Sequence, residues 1–271
     1  MVPWRTEATE AGVDGYEAIE LFGALDGSDL LFGCRHMPAG RPVAGVVVCP
    51  PVLDDAALNY QREARLGRWL ARSGLAVQRF HYRGTGYSGG DAGRLGFAAL
   101  LSDARRAVEH LGERCGTERV GLLGTRVGGL VAARLARDVA GSAPLALWQP
   151  VVDPRRYVNE GVAAGSRDLL TTTLGQDLFE PAVVDGLVET LGVDSRPILI
   201  MQLHRRVGLA PELRTTVGRL ESRGFPVEVA YDPTEEDWWR VHPNRSPSDG
   251  ALAATSSWLV SQLAGPGRLP A

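Results

Sequence analysis

Short apolar runs alternate along the chain with longer stretches in which apolar residues recur at helical spacing. Ala44–Cys49, Leu75–Tyr82, Val120–Leu123, Pro144–Trp148, Pro197–Leu203 and Pro226–Ala230 read as strands, and the first is a continuous apolar run closed by Pro50-Pro51. Between and after them, Asn59–Ser73, Phe97–Leu111, Val127–Ala140, Ala210–Arg223 and Pro247–Leu263 read as helices. Strands that are apolar throughout are buried on both faces, so this order predicts βαβ units, a mainly parallel sheet and helices on both sides of it. Tyr16–Leu21 and Asp29–Arg35, joined by a turn rich in Gly and Asp, predict an antiparallel hairpin at one edge. Roughly fifty residues separate Pro144–Trp148 from Pro197–Leu203, more than a simple crossover needs, so 153–194 is expected to form a small helical cap inserted in a single domain, 1–271.

Composition narrows the function without naming it. The chain has 271 residues, 44% of them hydrophobic, enough for one large core. Its 29 basic residues, all arginine, face 32 acidic ones for a net charge of −3, so no field attracts nucleic acid or an anionic membrane. The lack of any lysine removes Schiff-base chemistry, pyridoxal phosphate attachment and a phosphate-loop lysine, and no cofactor or metal is implied. Cys34, Cys49 and Cys115 are odd in number and widely spaced, which points to a reducing compartment rather than disulfides or zinc. The N-terminus lacks the order of a signal peptide and no apolar run reaches membrane-spanning length; a cytoplasmic location is the expectation.

Candidate chemistry centres on Val120-Gly-Leu-Leu-Gly-Thr-Arg-Val-Gly-Gly129, a strand, sharp turn and helix. In the G-x-S-x-G version of this turn a serine stands exposed, with the amides of the following helix placed to stabilise an oxyanion. Here the position is Arg126, whose guanidinium cannot be deprotonated at usable pH and is no acyl acceptor, so serine hydrolysis at residue 126 is excluded.

Together with Phe80-His-Tyr-Arg-Gly-Thr-Gly-Tyr-Ser88 after the preceding strand, this segment resembles the α/β-hydrolase superfamily, in particular its serine-aminopeptidase-like branch. More narrowly, Val48-Cys-Pro-Pro-Val-Leu-Asp-Asp55, Gly124-Thr-Arg-Val-Gly-Gly129, Leu147-Trp-Gln-Pro-Val151 and Glu236-Asp-Trp-Trp239 resemble hydrolase-type proteins encoded with exosortase A systems, one type of which carries arginine at the nucleophile position. The resemblance implies an α/β-hydrolase fold with the nucleophile position at Arg126, an acid near the end of Pro197–Leu203 and a histidine just before an aromatic pair. In this chain the strand is followed by His204-Arg-Arg-Val-Gly208 without a carboxylate, and Trp238-Trp239 is preceded by Asp237. A triad without its members retains little beyond binding and oxyanion stabilisation.

Two readings of Arg126 follow. In one it pairs with Asp237, Asp54 or Asp55 as a structural replacement for the triad. In the other it faces the cleft and binds a carboxylate, phosphate or polarised carbonyl. Family position gives the oxyanion amides to Val127 and Val52, and leaves His242 and His204 near the cleft as bases. Trp148, Trp238 and Trp239 serve as core or as walls of an apolar pocket. Gly84-Thr-Gly-Tyr-Ser-Gly89 matches a dinucleotide fingerprint but is expected to be a tight turn; Cys49, His36, His81 and His110 are expected to be structural. Two functions compete: an enzyme for acyl transfer, elimination or cyclisation of a small acyl or carboxylate substrate, and a pseudoenzyme acting as binding subunit of a partner hydrolase.

Overall fold

A computed structural model describes residues 7–8, 15–23, 30–139, 143–163, 173–178, 180, 184–192, 195–203, 208–232 and 249–264. Among them, one sheet contains β1 Glu7–Ala8, β2 Tyr16–Phe22, β3 Leu31–Met37, β4 Ala44–Cys49, β5 Leu75–Phe80, β6 Val120–Thr125, β7 Leu145–Trp148, β8 Ile198–Gln202 and β9 Val227–Tyr231. The spatial order is β1-β2-β3-β5-β4-β6-β7-β8-β9. From β5 to β9 every neighbouring pair is parallel. The β2–β3 hairpin joins β5 antiparallel at the other end. The two-residue β1 beyond it had no signal in the apolar pattern.

All six residues of β4 are buried, as its unbroken apolar run requires, and alternate side chains enter two cores. Val46 and Val48 pack with Leu66 and Leu70 of helix α1, Asp54–Arg72, and with Trp258 and Leu259 of the C-terminal helix, Asp249–Ala264. Val47 and Cys49 pack on the opposite face with α2, Phe97–Cys115, and α3, Val127–Ala136. The helix α1 starts at Asp54 rather than Asn59, because Asp54 and Asp55 occupy its first turn, where the helix dipole favours negative charge.

Within 153–194 lie α4, Pro154–Ala163, α5, Thr173–Asp177, and α6, Leu187–Leu191. These differ in role. Leu187 and Leu191 are buried in the core beside α3, whereas α4 presents Tyr157 to the end of β6. No helix among the described residues is long and apolar enough to cross a membrane.

Candidate active site

The parallel register, Cys49 beside Gly124 and Thr125 beside Trp148, brings the ends of β4, β6 and β7 to one edge of the sheet. There the chain turns sharply at Arg126, with φ 53° and ψ −119°, before α3 begins. Three backbone bonds hold the turn: the Arg126 N–H donates to Trp148 O at 3.1 Å, and Arg126 O accepts from Gly129 N–H at 2.9 Å and Val151 N–H at 3.3 Å. A side chain at Gly128 would drive into the carbonyl oxygens of Cys49 and Pro50, so the close approach of α3 to the loop after β4 depends on that glycine. Leu53 and Gln149 are the other non-glycine residues with positive φ among those described, and both lie in loops at this same edge. Each such residue costs of order 1 kcal/mol, a cost the surrounding bonds must offset. Gln149 makes two of them: its N–H donates to Met201 O at 2.8 Å and its Oε1 accepts from Leu203 N–H at 3.0 Å.

The Arg126 side chain reaches both a partner and a cleft. Its Nε donates to Asp55 Oδ2 at 3.4 Å and its Nη1 to Gln149 O at 3.5 Å, while the guanidinium lies 5.2 Å from the centre of the Tyr157 ring. Tyr157 donates its hydroxyl to the same Asp55 oxygen at 3.1 Å, so Asp55 ties the elbow, α1 and α4 together. Burial raises the pKa of Asp55 and the Arg126 charge opposes that rise; burial, reinforced by the Asp55 charge, raises the Tyr157 phenol. Side-chain exposure of 21% for Arg126 and 15% for Asp55 leaves the pair in contact with water. Arg126 also lines a cleft of about 190 Å³ with Gln149, Asp153, Arg156, Tyr157 and Glu212. Arg156 is paired with Glu160 at 2.6 Å, so acids and guanidiniums are mixed along its wall.

Of the three carboxylates considered as partners for Arg126, the described contact is to Asp55. Asp237, Trp238, Trp239, His242 and His204 lie outside the described residues. Val127 is the first residue of α3, so its N–H has no intrahelical carbonyl to reach and is available at the elbow. Val52 lines a different, larger cavity from the one that Arg126 lines. Trp148 is a core residue rather than a cleft wall: it is 0% exposed, packs with Leu259, and donates Nε1–H to Thr255 Oγ1 at 2.9 Å. Its end-of-strand position had made it a wall candidate; the alternation of β7 points it into the sheet's other layer.

Below the elbow, α1 carries a polar stripe at helical spacing, Asp55, Asn59 and Glu63, that meets the end of β6. Glu63 Oε1 accepts from Asn59 Nδ2 at 2.8 Å and from Thr125 Oγ1 at 3.2 Å. Complete burial pushes its carboxyl up to about 7, against the opposing charge of Arg79. Sequence reading missed Glu63 and Arg79. Glu63 follows Asn59 by four positions and precedes Leu66 and Leu70 on the apolar face, and a carboxylate on such a stripe was the available signal.

The remaining candidates have structural surroundings. Cys49 is fully buried and burial drives its thiol far above the usual range, away from nucleophilic use. In the 83–90 loop Arg83 is clamped on buried Asp103, with Nη2 to Oδ1 at 2.6 Å, and Tyr87 N–H donates to His81 Nδ1 at 3.2 Å. This loop turns back onto β3, through Phe32 N–H to Ser88 Oγ at 2.9 Å, and opens no helix of the dinucleotide-binding kind. His110 stacks on Phe22 and faces Glu20, and His36 faces Glu17. Glu17, Cys34 and His36 place ligand atoms within 4.8 Å of one another. However, the two ring nitrogens of His36 face different members of that group, Nδ1 the Glu17 carboxylate and Nε2 the Cys34 thiol, so one ion could not take all three as they stand.

A central parallel sheet covered on both faces, with a tight strand–turn–helix elbow at its carboxyl edge, defines an α/β-hydrolase fold. The chain belongs to the serine aminopeptidase S33 family (Hydrolase_4), which it matches over residues 42–180, just over half its length. No curated protein matches it in sequence. Solved structures with the same fold include an α/β-hydrolase from Vibrio vulnificus, 19% identical over 91% of this chain and 81% of that one, with a TM-score of 0.66. An esterase from Pyrococcus furiosus is 15% identical, covering 93% and 92% of the two chains, with a TM-score of 0.64. A serine hydrolase homologue from Coxiella burnetii is 18% identical, covering 90% and 96%, with a TM-score of 0.59. At these identities the likeness concerns the fold.

Proposed function

We propose that this protein is a non-serine member of its family, which binds a small acyl, carboxylate or carbonyl compound in the cleft at Arg126 and acts on it by acyl transfer, elimination or cyclisation. The carrying observation is Arg126 itself: a guanidinium displayed at φ 53° on the elbow, in reach of the cleft, where the fold presents a nucleophile. Its charge would polarise a carbonyl or hold a carboxylate, with the N–H of Val127 as a second donor. Asp237 and His242 are proposed as catalytic partners of Arg126, with His242 as the base, and Trp238 and Trp239 as substrate-binding residues. The oxyanion role of Val52 belongs to the same proposal. A biosynthetic substrate and a cytoplasmic location belong to the same proposal; three free thiols, Cys34, Cys49 and Cys115, support the latter.

A second reading is favoured by the Asp55–Arg126–Tyr157 tie, which engages the guanidinium internally. In that reading the protein is an inactive subunit of a partner hydrolase. Two measurements separate the cases. Fluorophosphonate labelling is expected to fail in the wild type, and stoichiometric labelling of any serine would refute the non-serine reading. Saturation-transfer NMR with acetate, hexanoate and hexanamide is expected to show binding that Arg126→Ala weakens at least tenfold; equal binding by both proteins would leave the accessory-subunit reading standing.

A further inference from the structure

A cavity of about 540 Å³ lies between β3, α1 and the 81–87 loop, and shares no lining residue with the Arg126 cleft. Its size is that of a site for a drug-sized molecule, and its walls are chiefly apolar and aromatic. Phe32, Tyr60, Phe80, His81 and Tyr87 all line it. His81 connects three of them, with ring centres 5.0 Å from Phe32 and 6.0 Å from both Tyr60 and Tyr87. Tyr60 and Tyr87 are also exposed, by 45% and 77%, so the aromatic lining opens to solvent on their side.

At the wall stands Arg79, only 6% exposed. Its Nη2 donates to Tyr60 O at 3.3 Å and its guanidinium lies 4.5 Å from the centre of the Tyr60 ring. Its Nε has no hydrogen-bond partner among the described residues, and no carboxylate among them lies within ion-pairing distance. A buried cation without a counter-ion is costly. The other ionisable groups on the wall offset it only in part: burial pushes the Glu63 carboxyl up to about 7 against the Arg79 charge, His81 is held toward its neutral form, and burial holds Cys34 protonated. An anion brought by a ligand would complete the guanidinium, and Glu63, already pushed up to about 7 by burial, would take up a proton as that anion binds, which relieves like-charge repulsion.

We infer that this cavity is a binding site for an aromatic carboxylate, with the ring system among Phe32, Tyr60, His81 and Tyr87 and the carboxylate on Arg79. It stands independently of the function proposed for Arg126. Among those residues a planar ring meets stacking and edge contacts, and a planar guanidinium matches a carboxylate better than a point charge would.

The test is a fluorescence titration of the full chain with 2-naphthoate, alongside 2-naphthamide as the uncharged analogue. Wild type is expected to bind one equivalent of 2-naphthoate at least tenfold more tightly than the amide. Arg79→Met should erase that preference while keeping amide binding. Ala56→Phe, which fills the cavity from α1 and leaves the charge in place, should remove both ligands and covers the case in which Arg79→Met does not fold. Arg126→Ala should bind 2-naphthoate as wild type does. The inference is overturned if wild type shows no saturable binding at millimolar 2-naphthoate, if it binds acid and amide alike, or if binding is lost in Arg126→Ala and survives Ala56→Phe.

Discussion

Two guanidiniums near the carboxyl edge of the sheet live under opposite rules. Arg126 keeps 21% of its side chain exposed and has Asp55 at 3.4 Å, so water and a carboxylate both reach its charge. Arg79 is 6% exposed, holds a backbone carbonyl and a ring face, and leaves Nε unmatched. The pair shows how desolvation, rather than residue type, decides what an arginine needs. At the surface of a cleft water and an ion pair meet the charge, while a buried arginine facing a cavity creates demand for an anion.

The strongest way to break this comparison is through Glu63, the carboxyl on the Arg79 side. Its pKa rises from an ordinary 4.5 to about 7 in the native protein. Between those values the folded chain keeps a proton that the unfolded chain has released, so this group's contribution to stability falls as pH rises through the window. The loss amounts to about 3 kcal/mol once the pH is above 7. Denaturant unfolding at pH 5 and pH 8 should therefore show wild type losing far more stability than Glu63→Gln, which has no proton to release. Parallel profiles for the two proteins would mean that Glu63 is ionised and compensated, and that the contrast between the two sides is false.

A smaller effect is expected on the Arg126 side. Asp55→Ala removes a partner that is partly wet, so it should destabilise by about 1–2 kcal/mol, between the values for exposed and buried pairs. A double-mutant cycle with Arg126→Ala should give a coupling of about 1 kcal/mol. Additive effects would show that the contact at 3.4 Å is not a working tie.

The smallest effect carries the opposite sign. At pH 5, where Glu63 keeps its proton, Arg79→Met replaces a buried charge outside any ion pair with an apolar side chain of similar reach, so in the absence of ligand it should leave stability unchanged or raise it by up to about 1 kcal/mol. A loss of 2 kcal/mol or more in thermal or chemical unfolding would reveal an anion already serving Arg79.

Much of this organisation was legible in the residues. The unbroken run Ala44–Cys49 is a strand with those limits, and the G-x-R-x-G segment folds into the expected elbow. Unbroken apolar runs report burial on both faces, and small residues report close backbone approach; both are local signals. Asp55 was among the partners foreseen for Arg126, though the sequence offered no way to rank it against Asp54 and Asp237. What was not legible is which layer a residue enters. Trp148 read as core or cleft wall until the alternation of β7 put it in the core, and nothing in the residues told that Val52 lines the larger cavity. Arg79 was hidden for a related reason: charged residues within apolar strands read as edge or surface, and only the packing of α1 over β5 encloses this one. His81, set down as structural, also turns out to be the aromatic hub of a cavity.

The turn at residue 126 has one more consequence. Its backbone bonds to Trp148, Gly129 and Val151 involve no side-chain atom of the residue on display, so the turn is a mount whose occupant is interchangeable. The native thiols are buried or half-buried. With Cys115 replaced, an Arg126→Cys chain would therefore offer a presented sulfur at the mouth of the cleft, an attachment point for a spin label or fluorophore that reports whatever enters it.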